Sequence, residues 1–399
     1  MARRVPHCGA PALTGGLWAA KECAMGELSR RRFMRRSALL ACSALGADLL
    51  AACSPGGGEP TPVPPLAPSA TVAVPTPVPS ATPEPAPTST PEPVAKRPAI
   101  IRMHPDGPSR LVRARHSGVW AGDSLVPTAV RQMLDASMTA LTGLDDARAA
   151  WAALFRPQER IAIKVNAFQN SLIWTHVPLV TAVTDSLQEA GVPAEQIVVY
   201  DNLSQELERA GFAVNKDGPG VRCYGTDGRA TGGWEVAGVE MNLSNILFEC
   251  DALINMPVLK VHSMSGITFA LKNHYGSITK PELLHGSRLN PGIAGLSALP
   301  PIKDRARLVI GDALAVCLRG ANAWPYWREA TPHDTILVSY DPVAVDSVAL
   351  QLFSKLSEQA GINPALSQSR TARWLAAAAE LGVGTNEERN IEVVEVSLS

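Results

Sequence analysis

The densest group of residues that can do chemistry lies between residues 255 and 276. This stretch reads N-M-P-V-L-K-V-H, then S-M-S-G-I-T, then F-A-L-K-N-H-Y-G. It places Lys260, His262 and Lys272 among mostly apolar neighbours. Two ammonium groups can bind a carboxylate or a phosphate, and a histidine can transfer protons near neutral pH. The stretch therefore predicts a site for a small anionic ligand, with His262 as the general acid and base.

The glycine and threonine that follow His262 predict a helix that begins at Ser265 and Gly266. Amides at a helix N-terminus attract anions, and Thr268 and Lys272, four residues apart, would share one face of that helix. We therefore predict Gly266, Thr268, Lys272 and Asn273 as binding residues. The alternative is an ordinary surface helix with solvated lysines and a histidine that is satisfied in the core.

Apolar runs alternate with helical periods from residue 99 onward, which predicts the fold. The predicted strands are 160–165, 196–200, 252–255, 307–310, 335–339 and 391–396, and the predicted helices are 177–190, 343–356 and 371–381. Continuous apolar strands that alternate with helices are typical of a mainly parallel sheet covered by helices, here a three-layer, Rossmann-like α/β fold.

Ligands of such sheets bind beyond the carboxyl ends of the strands, so the polar residues at those ends become candidates. Lys164 and Asn166 follow one apolar run and are predicted to bind substrate or cofactor. Asp201 and Asp312 follow two others and are predicted as catalytic carboxylates that orient His262. Each of them alone is more typical of a helix cap or a turn.

Composition removes several classes of function. No G-x-G-x-x-G and no P-loop occurs, so neither nucleotide fingerprint is present. No C-x-x-C occurs and Cys223, Cys250 and Cys317 are far apart, so no iron–sulfur cluster is expected, although one disulfide is not excluded. Residues 1–52 carry a net charge of +5 and the remainder about −6, which argues against binding to nucleic acid.

The N-terminal residues predict export and a membrane anchor. S-R-R-R-F-M-R at 29–35, with Arg30 and Arg31 as its central pair, fits the twin-arginine pattern. A short apolar stretch follows and ends in L-A-A-C, which predicts lipid attachment at Cys53. The predicted partners are the twin-arginine export machinery and the lipoprotein-processing enzymes. The location would be the outer face of the cytoplasmic membrane or the periplasm. A basic segment followed by a short core helix is the alternative.

These features divide the chain into three parts. Residues 1–52 form the predicted signal peptide, in which Met25 is an alternative start. Residues 53–98 form a Pro-, Thr- and Ala-rich linker, which is too poor in apolar residues to fold and favours an extended, disordered stalk. Residues 99–399 form the single α/β domain.

The combination of motifs resembles the bacterial family called domain of unknown function 362. The segments that carry the resemblance are I-K-V-N at 163–166, T-H at 175–176, N-M-P-V-L-K with its histidine at 255–262, G-I-T-F-A-L-K-N at 266–273, G-D at 311–312 and D-P-V-A-V-D at 341–346. Many members carry a ferredoxin-like cysteine module that this chain lacks. The resemblance therefore implies no electron-transfer role, and the family name supplies no reaction.

A fainter resemblance is to the nickel-pincer lactate racemase and its relatives. The spacing of His262, Gly266, Thr268 and Lys272 is similar to that family's strand–loop–helix. The resemblance implies that the lysine holds a nickel-bearing nucleotide cofactor and that the histidine shuttles a proton. The family's threonine-histidine-arginine segment has no counterpart here, where residues 200–202 read Y-D-N.

Three hypotheses of function remain open. The first is an extracytoplasmic enzyme that acts on a small anionic substrate. The second is a tethered protein that binds a small anion or a metal without turnover. The third is a metal or metallocofactor site built from His262 with His274 and His285 and a nearby carboxylate.

Overall fold

The computed structural model describes residues 108–168, 173–319 and 330–399. The predicted export motif with Arg30 and Arg31, the lipid-attachment residue Cys53 and the linker lie outside these residues. Within the described part, no helix is long and apolar enough to cross a membrane.

The described part of the chain contains fourteen strands, ten of which form one large sheet. The strands are β1 (Ser109–His116), β2 (Trp120–Ala121), β3 (Ser124–Leu125), β4 (Ile161–Lys164), β5 (Ile197–Tyr200), β6 (Arg222–Cys223), β7 (Ala230–Val236), β8 (Val239–Ser244), β9 (Ala252–Asn255), β10 (Val258–His262), β11 (Gly266–Thr268), β12 (Ala306–Cys317), β13 (Ala330–Ser339) and β14 (Ile391–Leu398). The main path of the sheet runs β14-β1-β13-β12-β9-β4-β5-β6, and β10 pairs with both β11 and β12. The pairs β2–β3 and β7–β8 form two small separate sheets.

Six of the nine pairings in the described part of the large sheet are parallel. The antiparallel ones involve β13 and the short β11. The predicted mainly parallel α/β sheet is therefore confirmed. Parallel strands need crossover connections, and these supply the helices that cover the sheet.

Helices pack on both faces of the sheet. They are α1 (Pro127–Thr142), α2 (Ala147–Leu154), α3 (Val177–Glu189), α4 (Ser204–Arg209), α5 (Ile246–Glu249), α6 (Ala270–Asn273), α7 (Leu289–Ala298), α8 (Pro300–Lys303), α9 (Pro342–Gln359) and α10 (Ala365–Glu380). Ile161 and Ile163 of β4 point into the core under α1 to α3, while Ala162 between them points into the core under α7, α9 and α10. This alternation leaves the last side chain of the strand, Lys164, on the second face.

Two local predictions were wrong. The strand predicted at 307–310 extends to Cys317, so Asp312 lies inside β12 and not after its end. The helix predicted to begin at Ser265 is absent from this described segment, because residues 266–268 form β11 against β10. The helical turn begins only at Ala270.

Candidate functional site

A buried ion pair closes the carboxyl ends of β4 and β5. The Lys164 ammonium has no exposed surface and donates to Asp201 Oδ1 at 2.7 Å and to the carbonyl of Val165 at 2.6 Å. The second carboxylate oxygen of Asp201 accepts from the amide of Ala167 at 2.6 Å. Asp201 is thus held by a lysine and by backbone amides. The geometry favours a structural role for Asp201 over the predicted catalytic one.

The backbone of Gly276 lies directly against this ion pair. A Cβ at that position would overlap both Asp201 Oδ1 and Lys164 Nζ. Only glycine lets the chain approach so closely. This contact explains why a glycine ends the motif that carries Lys272.

A chain of side-chain amides connects the ion pair to β10. Lys260 Nζ donates to Asn166 Oδ1 at 2.6 Å, and Asn166 Nδ2 donates to Asn273 Oδ1 at 3.1 Å. Asn273 Nδ2 donates in turn to Asn255 Oδ1 at 2.7 Å, and Asn255 Nδ2 donates to the carbonyl of Ala270 at 2.8 Å. The structure therefore brings the predicted binding residues Asn166, Lys260 and Asn273 into one network. Asn255 completes it as a residue to which sequence reasoning gave no role.

Lys272 is buried without a counter-charge. The residue is only 7 % exposed, and its ammonium lies 4.3 Å from the centre of the Tyr275 ring. Over the described residues, no hydrogen bond or ion pair involves this ammonium. Burial, and then the charge of Lys260, lower the pKa of Lys272 to about 7. Burial also lowers the pKa of Lys260, to about 8.

His262 ends β10 with a fixed tautomer. Its Nδ1 accepts from the amides of Met264 at 3.2 Å and Ser265 at 3.1 Å, so the ring proton belongs on Nε2. Burial, and then the charge of Lys272, lower the pKa of His262 to about 2. The ring is therefore neutral in the ligand-free site. It is suited to donate a hydrogen bond from Nε2, and less suited to the predicted acid–base role.

Gly266 and Thr268 serve packing in β11. Thr268 pairs with Lys260 and Gly266 pairs with His262 across the antiparallel ladder. Gly266 has φ +87°, and a Cβ there would overlap the carbonyl oxygen of Ser367 in α10. The predicted anion-binding helix N-terminus is wrong for a second reason, because the carboxylate of Asp346 already accepts from the first amides of α6 at 2.6 and 2.9 Å.

A second acid–base group is the pair His176–Asp312, which sequence reasoning missed. His176 Nδ1 lies 2.8 Å from Asp312 Oδ2, and the His176 amide donates to the same oxygen at 2.8 Å. Burial of His176 opposes its charge, but the attraction of Asp312 and its hydrogen bond outweigh burial and raise the pKa of His176. A buried carboxylate that holds Nδ1–H leaves Nε2 as the proton acceptor, the arrangement found in catalytic triads. Asp312 therefore orients His176 and not His262.

The His176–Asp312 pair borders the same strand ends as the lysine network. The hydroxyl of Thr175, the residue before His176, accepts a hydrogen bond from the backbone amide of Asn166 at 2.8 Å. It donates to the carbonyl of Met256 at 2.7 Å. Asp312 pairs in the sheet with Val258, two residues before Lys260. The Trp120 ring packs edge-on against His176 at 5.8 Å and also against the small apolar cluster around Val258.

The three histidines proposed as metal ligands do not form one cluster. The rings of His262 and His285 lie 6.0 Å apart, whereas His274 Nε2 lies 3.4 Å from Asn255 Nδ2. In the part of the chain that the structure describes, no group of three or more His, Cys, Asp or Glu side chains could hold a metal ion. The described donors therefore do not fit the three-histidine metal site of the third hypothesis. The cysteines Cys223, Cys250 and Cys317 are buried and form no disulfide among the described residues.

Comparison with known proteins finds one family match. Residues 161–351 match the sequence model of the family described as "Domain of unknown function (DUF362)". The match covers β4 to the first half of α9, which includes the predicted site residues from Lys164 to Asp312. The predicted resemblance is confirmed. No curated protein matches the sequence.

Two solved structures are distantly similar. One is a crystal structure of a protein from Thermotoga maritima, with 14% identity, a TM-score of 0.36, and 61% of this chain and 60% of that chain covered. The other is the lactate racemase apoprotein from Thermoanaerobacterium thermosaccharolyticum, with 9% identity, a TM-score of 0.32, and 53% and 51% covered. The chain thus spans little more than half the length of each of these proteins.

Proposed function

We propose that this protein is an exported, lipid-anchored enzyme that acts on a small anionic substrate. Its predicted location is the outer face of the cytoplasmic membrane or the periplasm, since the sequence carries a twin-arginine motif and Cys53. The substrate would bind at the carboxyl end of the sheet, between β10 and α6. The binding groups would be the ammonium groups of Lys260 and Lys272 and the Nε2–H of His262.

The observation that carries this proposal is the buried and uncompensated charge at Lys272. An ammonium group in a protein interior is unfavourable unless an anion accompanies it. Lys164 has such an anion in Asp201, whereas no carboxylate of the described residues pairs with Lys272. An anionic ligand would supply the missing charge and would raise the pKa of Lys272.

The acid–base role in this enzyme falls to His176, oriented by Asp312. Its Nδ1 is held by a carboxylate with no exposed surface, and its pKa is raised and not lowered. A histidine whose charged form is stabilised by a buried carboxylate can accept a proton from a substrate and return it. His262, in contrast, would stabilise negative charge on a substrate oxygen by hydrogen bonding.

The test measures binding first. Isothermal titration calorimetry with acetate and with inorganic phosphate, on the full-length protein at pH 6.5, is expected to show binding that Lys272→Met weakens by about tenfold or more, since the charge-assisted contact is lost. Lys280→Met is the matched control, because Lys280 is exposed and lies eight residues further along the chain. Equal binding by both variants would contradict the anion site.

The second candidate function is binding without turnover. It is favoured because His262 is neutral and Asp201 has a structural role. Of the residues discussed for catalysis, these two then carry no proton, and the enzyme hypothesis depends on His176. Incubation of 2-hydroxy and 2-oxo acids with the protein in D₂O distinguishes the two. Deuterium exchange at the α- or β-carbon, seen by proton NMR and lost in His176→Asn, supports an enzyme. Binding with no exchange in any compound supports a receptor.

A further inference from the structure

We propose that the amine of Lys272 forms a Schiff base with a small 2-oxo acid. This inference rests on the proposed anion site, because Lys260 is taken to hold the substrate carboxylate. It goes further by naming the substrate class and a covalent step at one nitrogen atom.

The position of Lys272 differs from that of an ordinary structural lysine. Lys164 is also buried, but its ammonium donates to oxygens of Asp201, Val165 and Asn273. Among the described residues, the amine of Lys272 contacts the face of the Tyr275 ring at 4.3 Å and makes no hydrogen bond. That ring is fixed in turn, since its hydroxyl donates to the carbonyl of Leu284 at 2.8 Å. The lone pair of Lys272 is therefore not engaged by any hydrogen bond of the described residues.

Burial and the charge of Lys260 together keep Lys272 reactive. A neutral amine is the nucleophilic form of lysine, and a second cation nearby is one way in which proteins produce it. Burial, and then Lys260, bring the pKa of Lys272 to about 7, so about half of the molecules hold the free amine at neutral pH. For a solvated lysine, with a pKa of about 10.4, the neutral fraction at pH 7 is about a thousandfold smaller.

The neighbouring groups match the two functional groups of a 2-oxo acid. The carboxylate would pair with the ammonium of Lys260, which Asn166 Oδ1 holds at 2.6 Å as a hydrogen-bond donor at the end of the amide chain. The adjacent carbonyl oxygen would accept a hydrogen bond from Nε2–H of His262. The carbonyl carbon is then presented to the Lys272 nitrogen. An aldehyde or ketone without the carboxylate would lack the first of these contacts.

The covalent step needs no oxidant or reductant. The nitrogen lone pair of Lys272 forms a bond to the carbonyl carbon, and the carbonyl oxygen takes up a proton. A second proton then reaches this oxygen, which leaves as water, while the nitrogen loses its remaining protons and forms the C=N double bond. The balance is amine plus ketone giving imine plus water.

Reductive trapping tests the step. The full-length protein is incubated with pyruvate or glyoxylate and sodium cyanoborohydride over pH 5.5 to 9.5, and the labelled lysines are located by peptide mass spectrometry. We expect labelling at Lys272 about tenfold or more above that at the exposed Lys280, since its neutral fraction is so much larger. The labelling rate should rise to half its maximum near pH 7. Acetate should slow it by competing for Lys260, and Lys272→Arg should abolish it.

The outcomes separate this inference from the proposed function. Labelling of Lys272 no faster than of Lys280 overturns the Schiff base, whereas binding of acetate and phosphate in the same preparation would leave the anion site standing. Selective labelling of Lys272 without binding of either anion supports the reactive amine and contradicts the anion site. The pH profile of the wild-type protein decides the matter even if Lys272→Arg does not fold.

Discussion

Two buried lysines of this site, Lys164 and Lys272, show how one residue type serves opposite purposes. Lys164 ends a parallel strand and meets Asp201 from the next strand at 2.7 Å. Lys272 lies on the short helix α6 beside an aromatic ring and a second lysine, Lys260. The first arrangement joins two strand ends. The second leaves a charge that folding does not satisfy, which is typical of a functional site.

The largest expected effect comes from removing the counter-charge of Lys164. Asp201→Asn should lower the free energy of unfolding by about 3–5 kcal/mol, because a buried ammonium then remains uncompensated. Urea denaturation at pH 7 measures this. Asp227→Asn is the control, since its pair with Lys216 is partly exposed and should contribute about 1 kcal/mol or less. If both variants lost the same free energy of unfolding, the Lys164–Asp201 pair would stabilise the protein no more than a partly exposed ion pair. The contrast drawn above between Lys164 and Lys272 would then be wrong.

An effect of opposite sign on the free energy of unfolding is expected at Lys272. Its folded pKa of about 7 lies below the unfolded value, so the unfolded chain binds the extra proton between pH 7 and about pH 10. The stability of the wild-type protein should therefore rise with pH across that window, by up to about 1.4 kcal/mol per pH unit from this group. The free-energy cost of burying the charged Lys272 is fully present below pH 7.

The variant Lys272→Met removes the titrating group and keeps the volume of its stem. It should be more stable than the wild-type protein at pH 6.5 and should lose the part of the slope that Lys272 contributes, while Lys260, whose pKa is also lowered, keeps its own part. Chemical denaturation between pH 6 and 10 measures both. The exposed control Lys280→Met should keep the slope, and a Lys272→Met protein that keeps it as well would show that Lys272 is not the source.

The smallest of the three stability effects concerns the His176–Asp312 pair. Because the pKa of His176 is raised in the folded state, its stabilisation is fully present below the unfolded pKa of about 6.5 and is lost as pH rises through the folded pKa. The charge of His176 should contribute about 1 kcal/mol or less at pH 5.5, and this contribution should vanish above the folded pKa, so His176→Asn should cost more at low pH than at high pH.

A double-mutant cycle with Asp312→Asn isolates the interaction between the two side chains. The coupling free energy should be present at pH 5.5 and smaller at pH 8.5. A coupling that is the same at both pH values would mean that the pair does not depend on a charged His176. The acid–base role proposed for His176 would then lose its support.

The sequence predicts the parallel sheet and most of the lysine network because both depend on short-range patterns. The apolar runs before Lys164, Asp201 and Asn255 are strands, and parallel strands place their carboxyl ends together. Lys260 and Asn273 fall beside them since their motif directly follows β9. These contacts follow from periodicity and from the rule for strand ends.

The partner of Asp312 and the conformation of residues 266–268 could not be predicted in the same way. Asp312 and His176 are 136 residues apart, and nothing local in either segment specifies the other. A three-residue strand is too short to show a period of two, and the close approach of α10 to Gly266 comes from a distant part of the chain. The tautomer of His262 depends on two backbone amides, which no side-chain motif reveals.

The row of asparagine side chains has a fixed direction. Each carboxamide donates onward in one direction, from Lys260 through Asn166, Asn273 and Asn255 to the carbonyl of Ala270. An ammonium group can only donate and a backbone carbonyl can only accept, so these two ends set the polarity of all three amides between them. Reversal of a single amide would break its bonds to both neighbours. Lys164 reinforces this orientation, because its ammonium donates to Asn273 Oδ1 at 3.5 Å while its backbone carbonyl accepts from Asn273 Nδ2 at 3.2 Å, so the row is fixed at its centre as well as at its ends.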